Sequence, residues 1–435
     1  MKVKNFLPQI ITAVLSAVML IVTLLSSKVY VSSFPFKLFE KLGIYFNNGN
    51  YGIMDNSLST NGTYETFISL LKTFAVNSVL SGIVSFVILA VLLVVSLFII
   101  SKVASKTNYK WTVYLCAVLL PLVFCDFTNL AFFKTLYINP LILVLLLLIS
   151  AVFLSFYYKN SVGIAGIVII TAITLIYSWL GTIQTVTAII LGILIVLLSK
   201  ISKNKASKIL TFVLGAVIVV QSVVFAFNYK SFDYKQNLYN SVFYGVAKYD
   251  SVTELGLDEK LNDFKEVYYG MKENESEYDL ENTFYRKITY SDIIKYYITH
   301  PSNAVKVINN QAIGAFYNDY EFGFTPYSSA KKMYIPMNFI IALVITAIYV
   351  TISVIVGKKY SNIKPVTEFL SGISIMWFIS LIVSAIYCGN CDITSNMYTF
   401  NVLFDIMMVG GLVGGIRVIL HRQDEKKDEF GITHE

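Results

Sequence analysis

Charged residues are scarce in this sequence: lysine, arginine, aspartate and glutamate make up 14% of the 435 residues. A soluble domain typically carries about 25% charged residues, whereas 56% of this chain is hydrophobic. Only three arginines are present, Arg286, Arg417 and Arg422, and only three histidines. This composition excludes an ordinary soluble domain.

Cysteine is also rare, with four in the whole chain. Cys388 and Cys391 form a Cys-x-x-Cys pair, a spacing found in redox motifs and in half of a zinc site. No second pair completes a zinc site, so we predict no metal there. In an oxidising compartment disulfides persist. The sequence leaves open a structural disulfide between Cys388 and Cys391 or two free thiols, with redox chemistry as a lesser alternative.

Long apolar stretches are what the sequence has in abundance. Roughly 20 apolar residues cross the hydrocarbon core as a helix. The candidate spans are 7–27, 78–101, 111–126, 138–157, 162–180, 182–199, 209–228, 336–357, 366–388 and 398–420. They predict an all-α polytopic membrane protein of about ten transmembrane helices.

The predicted chain has four parts, and the first two contain the long polar segments. The first bundle is 1–228 and includes a long loop at 28–77, and a small, mostly helical subdomain is predicted at 229–335. A second bundle covers 336–421, and a tail covers 422–435. An Asn-Gly pair at 48–49 signals a tight turn within the first loop.

Lysines cluster in the short loops on one side of the predicted bundle. The positive-inside rule assigns that side to the cytoplasm, so both termini are cytoplasmic and both long polar segments lie outside a cell membrane. These lysines account for the net charge of +7. We therefore expect anionic membrane lipid as a partner, and no nucleic acid.

Ionisable residues at membrane depth are costly and are functional hypotheses by default. Asp126 ends the third span, either as a headgroup-level residue or as the lining of an outward cavity. Asp405 lies inside the tenth span and should face the bundle interior, paired or hydrogen-bonded. Arg286, followed by Lys287, is the only arginine in the long polar segments. A guanidinium grips phosphate well, and the alternative is an ordinary solvated charge pair beside an acidic run.

Three stretches carry a resemblance to a known class of enzyme. They are Asn-Gly-Asn-Tyr-Gly-Ile-Met at 48–54, the run from Asp126 to Pro140, and Asn-Leu-Tyr-Asn-Ser-Val-Phe-Tyr-Gly at 237–245, followed by Leu-Gly-Leu at 255–257. With the layout of spans, they resemble the C-type integral-membrane glycosyltransferases, and within these the bacterial hexose transferases of surface-glycan biosynthesis.

The resemblance implies transfer of a hexose from a polyprenyl-phosphate donor to a glycan acceptor at the outer face. Such enzymes would carry acidic residues near Asn50 and near Asn139, where this chain has amides. We therefore predict Asp55 and Asp126 as the catalytic carboxylates.

Contacts to the substrate and its phosphate are predicted at a second group of residues, which are Asn50, Tyr137, Asn139, Arg286 and Lys287. The need for a divalent cation stays open. The alternative reading is a non-catalytic accessory subunit, flippase or transporter for envelope polysaccharide.

Overall fold

A computed structural model describes most of the chain. The described residues are 6–25, 43–47, 50–53, 63–77, 79–80, 82–105, 110–159, 161–202, 204–228, 234–269, 279–316, 326–359 and 364–429. Over these residues the protein is a bundle of long helices that carries a small sheet and a helical subdomain at one end. The predicted all-α polytopic fold is confirmed.

The helices and strands, in chain order, are α1 (Leu7–Leu25), β1 (Ile44–Asn47), β2 (Asn50–Ile53), α2 (Thr63–Lys72), β3 (Val79–Leu80), α3 (Gly82–Ala104), α4 (Lys110–Phe124), α5 (Phe127–Leu130), α6 (Asn139–Lys159), α7 (Ile164–Ser178), α8 (Thr182–Leu197), α9 (Lys205–Asn228), α10 (Tyr234–Asn240), α11 (Tyr290–Thr299), α12 (Pro301–Gly314), α13 (Pro326–Tyr334), α14 (Phe339–Lys359), α15 (Lys364–Cys388), α16 (Ile393–Asn396) and α17 (Tyr398–Glu429). Shorter turns are the 3₁₀ segments Ala131–Lys134, Leu198–Ile201, Val252–Leu255 and Glu259–Phe264, the π segments Ser241–Val246 and Glu281–Tyr285, and the helical turn Ala247–Tyr249.

Eight of the described helices are long and apolar enough to cross a membrane by themselves. The third predicted span is instead a broken pair, α4 and α5, bent by 48°. Pro121 removes a backbone donor near the end of α4, and Asp126 has extended backbone and caps α5. The fifth span, α7, has 15 residues and reaches only about 22 Å. Among the described residues the structure therefore supports eight or nine full spans rather than ten.

Helix α6 lies at the centre of the bundle, and 67% of the residues in its most apolar stretch are buried. Helices α8 and α9 form a tight antiparallel pair that packs against α7 and, through α8, against α15. A Cβ added at Gly192 would lie 3.0 Å from the carbonyl oxygen of Gly215, and one added at Gly215 would lie 2.8 Å from that of Gly192. The two glycines allow the two backbones to approach this closely.

The first loop contains a small antiparallel sheet in the order β1-β2-β3, which the sequence reading missed. The register pairs Asn47 with Asn50, so two residues, Asn-Gly, separate β1 from β2. Asn-Gly is the preferred pair for such a hairpin. The backbone amide of Leu136 donates to the Tyr51 hydroxyl at 3.1 Å, and the Tyr64 hydroxyl donates to the Leu136 carbonyl. These bonds hold the sheet and α2 against the chain between α5 and α6.

Residues 234–316 form the helical subdomain, whose gap at 270–278 is outside the described residues. Its core is aromatic: the ring of Phe243 packs 5.6 Å from that of Phe264 and 5.2 Å from that of Phe284. Gly256 ends the turn at 252–255 with a φ of 73°, as its position in the sequence predicts. Helix α11 ends at Thr299, and His300 separates it from Pro301, the first residue of α12.

The bundle therefore has two distinct ends. The subdomain end carries the sheet, the helical subdomain and the connection between α15 and α17. The opposite, lysine-rich end carries exposed lysines that include Lys102, Lys159, Lys205, Lys358 and Lys364.

Candidate functional site

Helix α13 brings two acidic side chains from distant parts of the chain to one place. Ser328 contacts Asp126, which stands between α4 and α5, while Tyr327 and Lys331 contact Asp405 on α17. We call these five residues the buried acid cluster. Serine, tyrosine and lysine at these positions place all three polar groups on the side of α13 that faces the bundle.

Asp126 acts as a cap for two helices at once. Its Oδ1 accepts hydrogen bonds from the backbone amide of Thr128 at 3.0 Å and from the Ser328 hydroxyl at 2.9 Å. Its Oδ2 accepts from the backbone amide of Ser328 at 3.3 Å. Carboxylates stabilise helix N-termini in this way because the first amides lack intrahelical partners. Asp126 has no exposed surface, so its predicted catalytic role requires α13 to move.

Asp405 is buried within the bundle and paired. Lys331 Nζ lies 3.0 Å from Asp405 Oδ1, and the Tyr327 hydroxyl donates to the same oxygen at 2.6 Å. Burial and the adjacent Asp405 raise the pKa of the Tyr327 hydroxyl well above its usual value of 10, so Tyr327 remains a donor. The Lys331 ammonium also lies 4.9 Å from the ring centre of Phe316, where cation–π attraction adds to the ion pair.

The buried acid cluster is built for structure rather than for binding an ion. It holds two carboxylates and one ammonium, and its hydrogen bonds come from protein groups. Among the described residues no group of three or more histidine, cysteine, aspartate or glutamate side chains could hold a metal ion.

A second polar site lies at the subdomain end of the bundle. It is a pocket of about 140 Å³ between α2, the start of α6, the turn between α7 and α8, helix α10 and the connection between α15 and α17. We call it the polar pocket. Its lining includes Tyr64, Tyr137, Gln184, Gln236, Asn237, Asp392, Ser395, Asn396 and Thr399. Aromatic faces, amides, hydroxyls and one carboxylate together suit a small polyhydroxylated ligand.

Hydrogen bonds hold several of these side chains in place. The Gln184 amide donates to the Thr399 hydroxyl at 2.8 Å, which links α8 to α17. The Cys388 thiol donates to the Asn237 amide oxygen at 3.7 Å, which links α15 to α10. The Asn396 amide donates to the carbonyl of Cys391 at 2.7 Å. The pocket is therefore assembled from rigid elements rather than from one mobile loop.

Among the described residues that line the polar pocket, Asp392 is the only one with a carboxylate. It precedes α16 with φ 42° and ψ 55°, a left-handed conformation that aspartate tolerates better than most residues. Burial raises the pKa of Asp392 to about 6, and a hydrogen bond from the Ser395 backbone opposes the shift. A carboxylate with a pKa near the working pH suits a general base.

Gly389 fixes the turn that presents Asp392. It has a φ of 54°, and a Cβ there would lie 2.5 Å from the Asn240 carbonyl oxygen and 2.7 Å from the Gly245 amide nitrogen. The next residue, Asn390, donates its backbone amide to the Tyr244 carbonyl at 3.1 Å. The turn therefore sits directly on the π segment 241–246, and only glycine fits this position.

The residues predicted to contact substrate are scattered rather than gathered. Tyr137 lines the polar pocket. Asn139 begins α6 close by, fully buried, and neither side-chain amide atom has a hydrogen-bond partner among the described residues. Asn50 is the first residue of β2, directly after the turn and before Tyr51. Arg286 and Lys287 are exposed on the helical subdomain and are not among the lining residues of the pocket.

Asp55 lies outside the described residues, so its catalytic role stays a prediction.

Cys388 and Cys391 are buried and form no disulfide in the structure, so the disulfide that the sequence left open is not formed there. Burial raises the pKa of Cys391 to about 12. Reactive thiols have lowered pKa values, which argues against redox chemistry at this pair.

Asp392 is the candidate residue that sequence reasoning missed. Asp392 directly follows the Cys-x-x-Cys pair, and the interpretation of the sequence considered only the two cysteines. A usable signal was present: Asp392 is the only acidic residue in the three short turns predicted to face outward, 127–137, 181 and 389–397.

The fold and the long apolar helices define a multi-pass, all-α membrane protein. The chain belongs to the family of the YfdI N-terminal transmembrane domain, whose family model matches residues 27–432. No curated protein and no solved structure matches the chain.

Proposed function

We propose that this protein transfers a hexose from a polyprenyl-phosphate donor to a cell-surface glycan at the polar pocket. The observation that carries the proposal is a single carboxylate, Asp392, held in a pocket of amide, hydroxyl and tyrosine groups at the subdomain end. Membership of a glycosyltransferase-like membrane family supports the same class of reaction.

In the proposed reaction, Asp392 accepts the proton of an acceptor hydroxyl as that oxygen bonds to the anomeric carbon of the sugar. The bond between that carbon and the donor phosphate breaks, and the polyprenyl phosphate leaves with the electron pair. Phosphate is a good leaving group, which cations stabilise further. Arg286 and Lys287 are exposed on the subdomain and do not line the polar pocket, so their contact with the donor phosphate stays a prediction.

The first experiment is a transfer assay with purified protein and polyprenyl-phosphate glucose or galactose as donors. A general base contributes roughly 10²- to 10⁴-fold, so Asp392→Asn should lower turnover by that factor while donor binding survives. Glu259→Gln removes an exposed carboxyl of the helical subdomain, away from the pocket lining, and should leave turnover unchanged. In the parent, kcat/KM should fall as pH drops below about 6, because a protonated carboxyl accepts no proton. A parental rate in Asp392→Asn would rule out this base.

The proposal needs the polar pocket outside the cell and the lysine-rich end in the cytoplasm. All four native cysteines are buried, so introduced cysteines can be labelled with little background. Lys260→Cys on the subdomain should react with a membrane-impermeant maleimide in intact cells. Lys205→Cys at the opposite end should react only after permeabilisation, and the reverse pattern would invert the proposed orientation.

A transporter or flippase for lipid-linked polysaccharide is the second candidate, favoured by the ion pair of Lys331 and Asp405 buried inside the bundle. Such pairs mark pathways in membrane transporters. Vesicles that contain the purified protein separate the two functions. Movement of a polyprenyl-phosphate sugar across the bilayer without any glycan product would favour transport, and a glycan product would favour the transferase.

A further inference from the structure

A second cavity lies at the other end of the bundle and has the opposite character. Its volume is about 430 Å³, and it is bounded by α3, α4, α6, α15 and α17. Leucine, isoleucine, valine and phenylalanine dominate its lining. We call it the apolar cavity. Its volume is within the range of ligand-binding pockets.

The apolar cavity has the length of one membrane leaflet. On α17 it extends from Ile406 to Arg417, which is roughly 16 Å at the rise of an α-helix. The hydrocarbon core of a bilayer is about 30 Å thick. At the lysine-rich end the rim includes Tyr158, which is 43% exposed. The cavity therefore opens to the surroundings of the bundle at the headgroup level of that leaflet.

Arg417 stands at this open end with unused hydrogen-bonding capacity. Its Nη2 donates to the carbonyl of Ala104 at 3.0 Å, but its buried Nε has no partner among the described residues. No described carboxylate pairs with it. The buried hydroxyl of Tyr157, which also lines the cavity, is likewise without a partner there. Buried donors are normally satisfied, so both groups point to a ligand with acceptor oxygens.

We propose that the apolar cavity binds a hydrocarbon chain of a phosphate-bearing lipid from the adjoining leaflet, with the phosphate held by Arg417. A guanidinium binds phosphate oxygens bidentately. Exposed Lys102, Lys159 and Lys364 surround this end of the bundle, and basic pockets between membrane helices attract anionic headgroups. The inference does not depend on the proposed transferase reaction.

Two neighbouring glycines of α17 provide a matched pair of variants. A Cβ added at Gly414 or at Gly415 meets no atom within 4 Å. Gly414 lines the apolar cavity, whereas Gly415 is exposed and is not among the lining residues. Gly414→Phe should therefore fill the cavity, and Gly415→Phe makes the same chemical change outside it.

The test is native mass spectrometry of the full chain titrated with dipalmitoyl phosphatidylglycerol or with dipalmitoylglycerol, which has the same chains and no phosphate. The parent should bind one phosphatidylglycerol about tenfold more tightly than dipalmitoylglycerol, the effect of one charge-assisted contact. Arg417→Gln should abolish that preference, and Arg417→Lys should retain part of it. Gly414→Phe should weaken the binding of both lipids about tenfold or more, the loss expected when the chain no longer fits its cavity. Gly415→Phe should bind like the parent.

Two further probes identify the source of the phosphate. Polyprenyl phosphate that binds more tightly than phosphatidylglycerol assigns a prenyl chain to the cavity, and weaker binding assigns an acyl chain. Inorganic phosphate that displaces the lipid at equal concentration would overturn the proposal. Equal lipid binding by Gly414→Phe and Gly415→Phe, or an unchanged preference in Arg417→Gln, would overturn it too. If Gly414→Phe does not fold, Arg417→Gln still tests the proposal, because this substitution leaves the cavity volume intact.

Discussion

Asp405 and Asp392 lie near each other in sequence, on either side of the start of α17, and have opposite surroundings. Asp405 is buried, and Lys331 and Tyr327 occupy one of its carboxylate oxygens. Asp392 faces the polar pocket, and no described lysine or arginine lines that pocket with it. The first carboxylate is neutralised by its protein partners, whereas the second is available to a ligand.

The comparison distinguishes a carboxylate that stabilises the fold from one that is available for chemistry. Removing either partner of a buried ion pair leaves the other charge uncompensated, so a loss of stability is expected whatever the function of the pair. An unpaired carboxylate whose pKa is raised by burial costs stability and is kept where chemistry needs it. The comparison therefore predicts opposite effects of substitution at the two sites.

The largest expected effect is at Lys331. Lys331→Met would leave the Asp405 carboxylate buried without a cation, which typically costs about 3–5 kcal/mol. Thermal unfolding of the detergent-purified protein should show a strongly lowered midpoint. Lys331→Met combined with Asp405→Leu should recover most of the loss, and Lys260→Met on the surface should cost nothing measurable. A double variant as unstable as Lys331→Met would show that the loss does not come from the uncompensated charge of Asp405.

Asp392→Asn should change stability in the opposite direction. The pKa of Asp392 is raised in the folded protein from 3.8 to about 6, so its contribution to stability is full below about pH 4 and is lost as pH rises through about 6. The asparagine variant avoids that loss. It should be more stable than the parent at pH 7.5 by about 1–3 kcal/mol. The two proteins should unfold alike near pH 4, and a variant less stable than the parent at pH 7.5 would contradict the prediction.

The smallest effect is expected where a carboxylate is paired but exposed. Lys200 Nζ lies 3.0 Å from Glu368 Oε1 at the lysine-rich end, and the Lys200 side chain is 53% exposed. Exposed pairs contribute about 0–1 kcal/mol. Lys200→Gln should therefore shift the unfolding midpoint far less than Lys331→Met does, and the shift should vanish in high salt. A loss equal to that of Lys331→Met would show that burial is not what distinguishes the two pairs.

The bundle itself was predictable because a helix that crosses a bilayer needs an apolar stretch of fixed length. Every predicted span coincides with a helix or, in one case, a bent helix pair. The break at Asp126 was not visible in hydropathy, since the apolar run continues on both sides of it. The hairpin of β1 and β2 was signalled only by its Asn-Gly turn.

The candidate site was less predictable because it depends on contacts between distant segments. The sequence Tyr-Ser-Ser-Ala-Lys-Lys at 327–332 reads as a polar loop, and only tertiary packing turns Lys331 inward. Asp392 gains its surroundings from α10 and the chain near Tyr137, which are far away in sequence. Asp405 was expected to be paired, but nothing in the sequence named Lys331 as its partner.

The contact of Ser328 with Asp126 also has a consequence for how the protein is made. The two residues are 202 positions apart, and ribosomes add about 5–20 residues per second. Asp126 is therefore in the membrane for roughly 10–40 s before Ser328 is synthesised. During that interval the end of α4 holds an acidic group that only headgroups or water satisfy. Closure of the first part of the bundle is thus timed by synthesis of α13, and a ribosome stalled before residue 326 would leave the nascent protein with this acid still exposed.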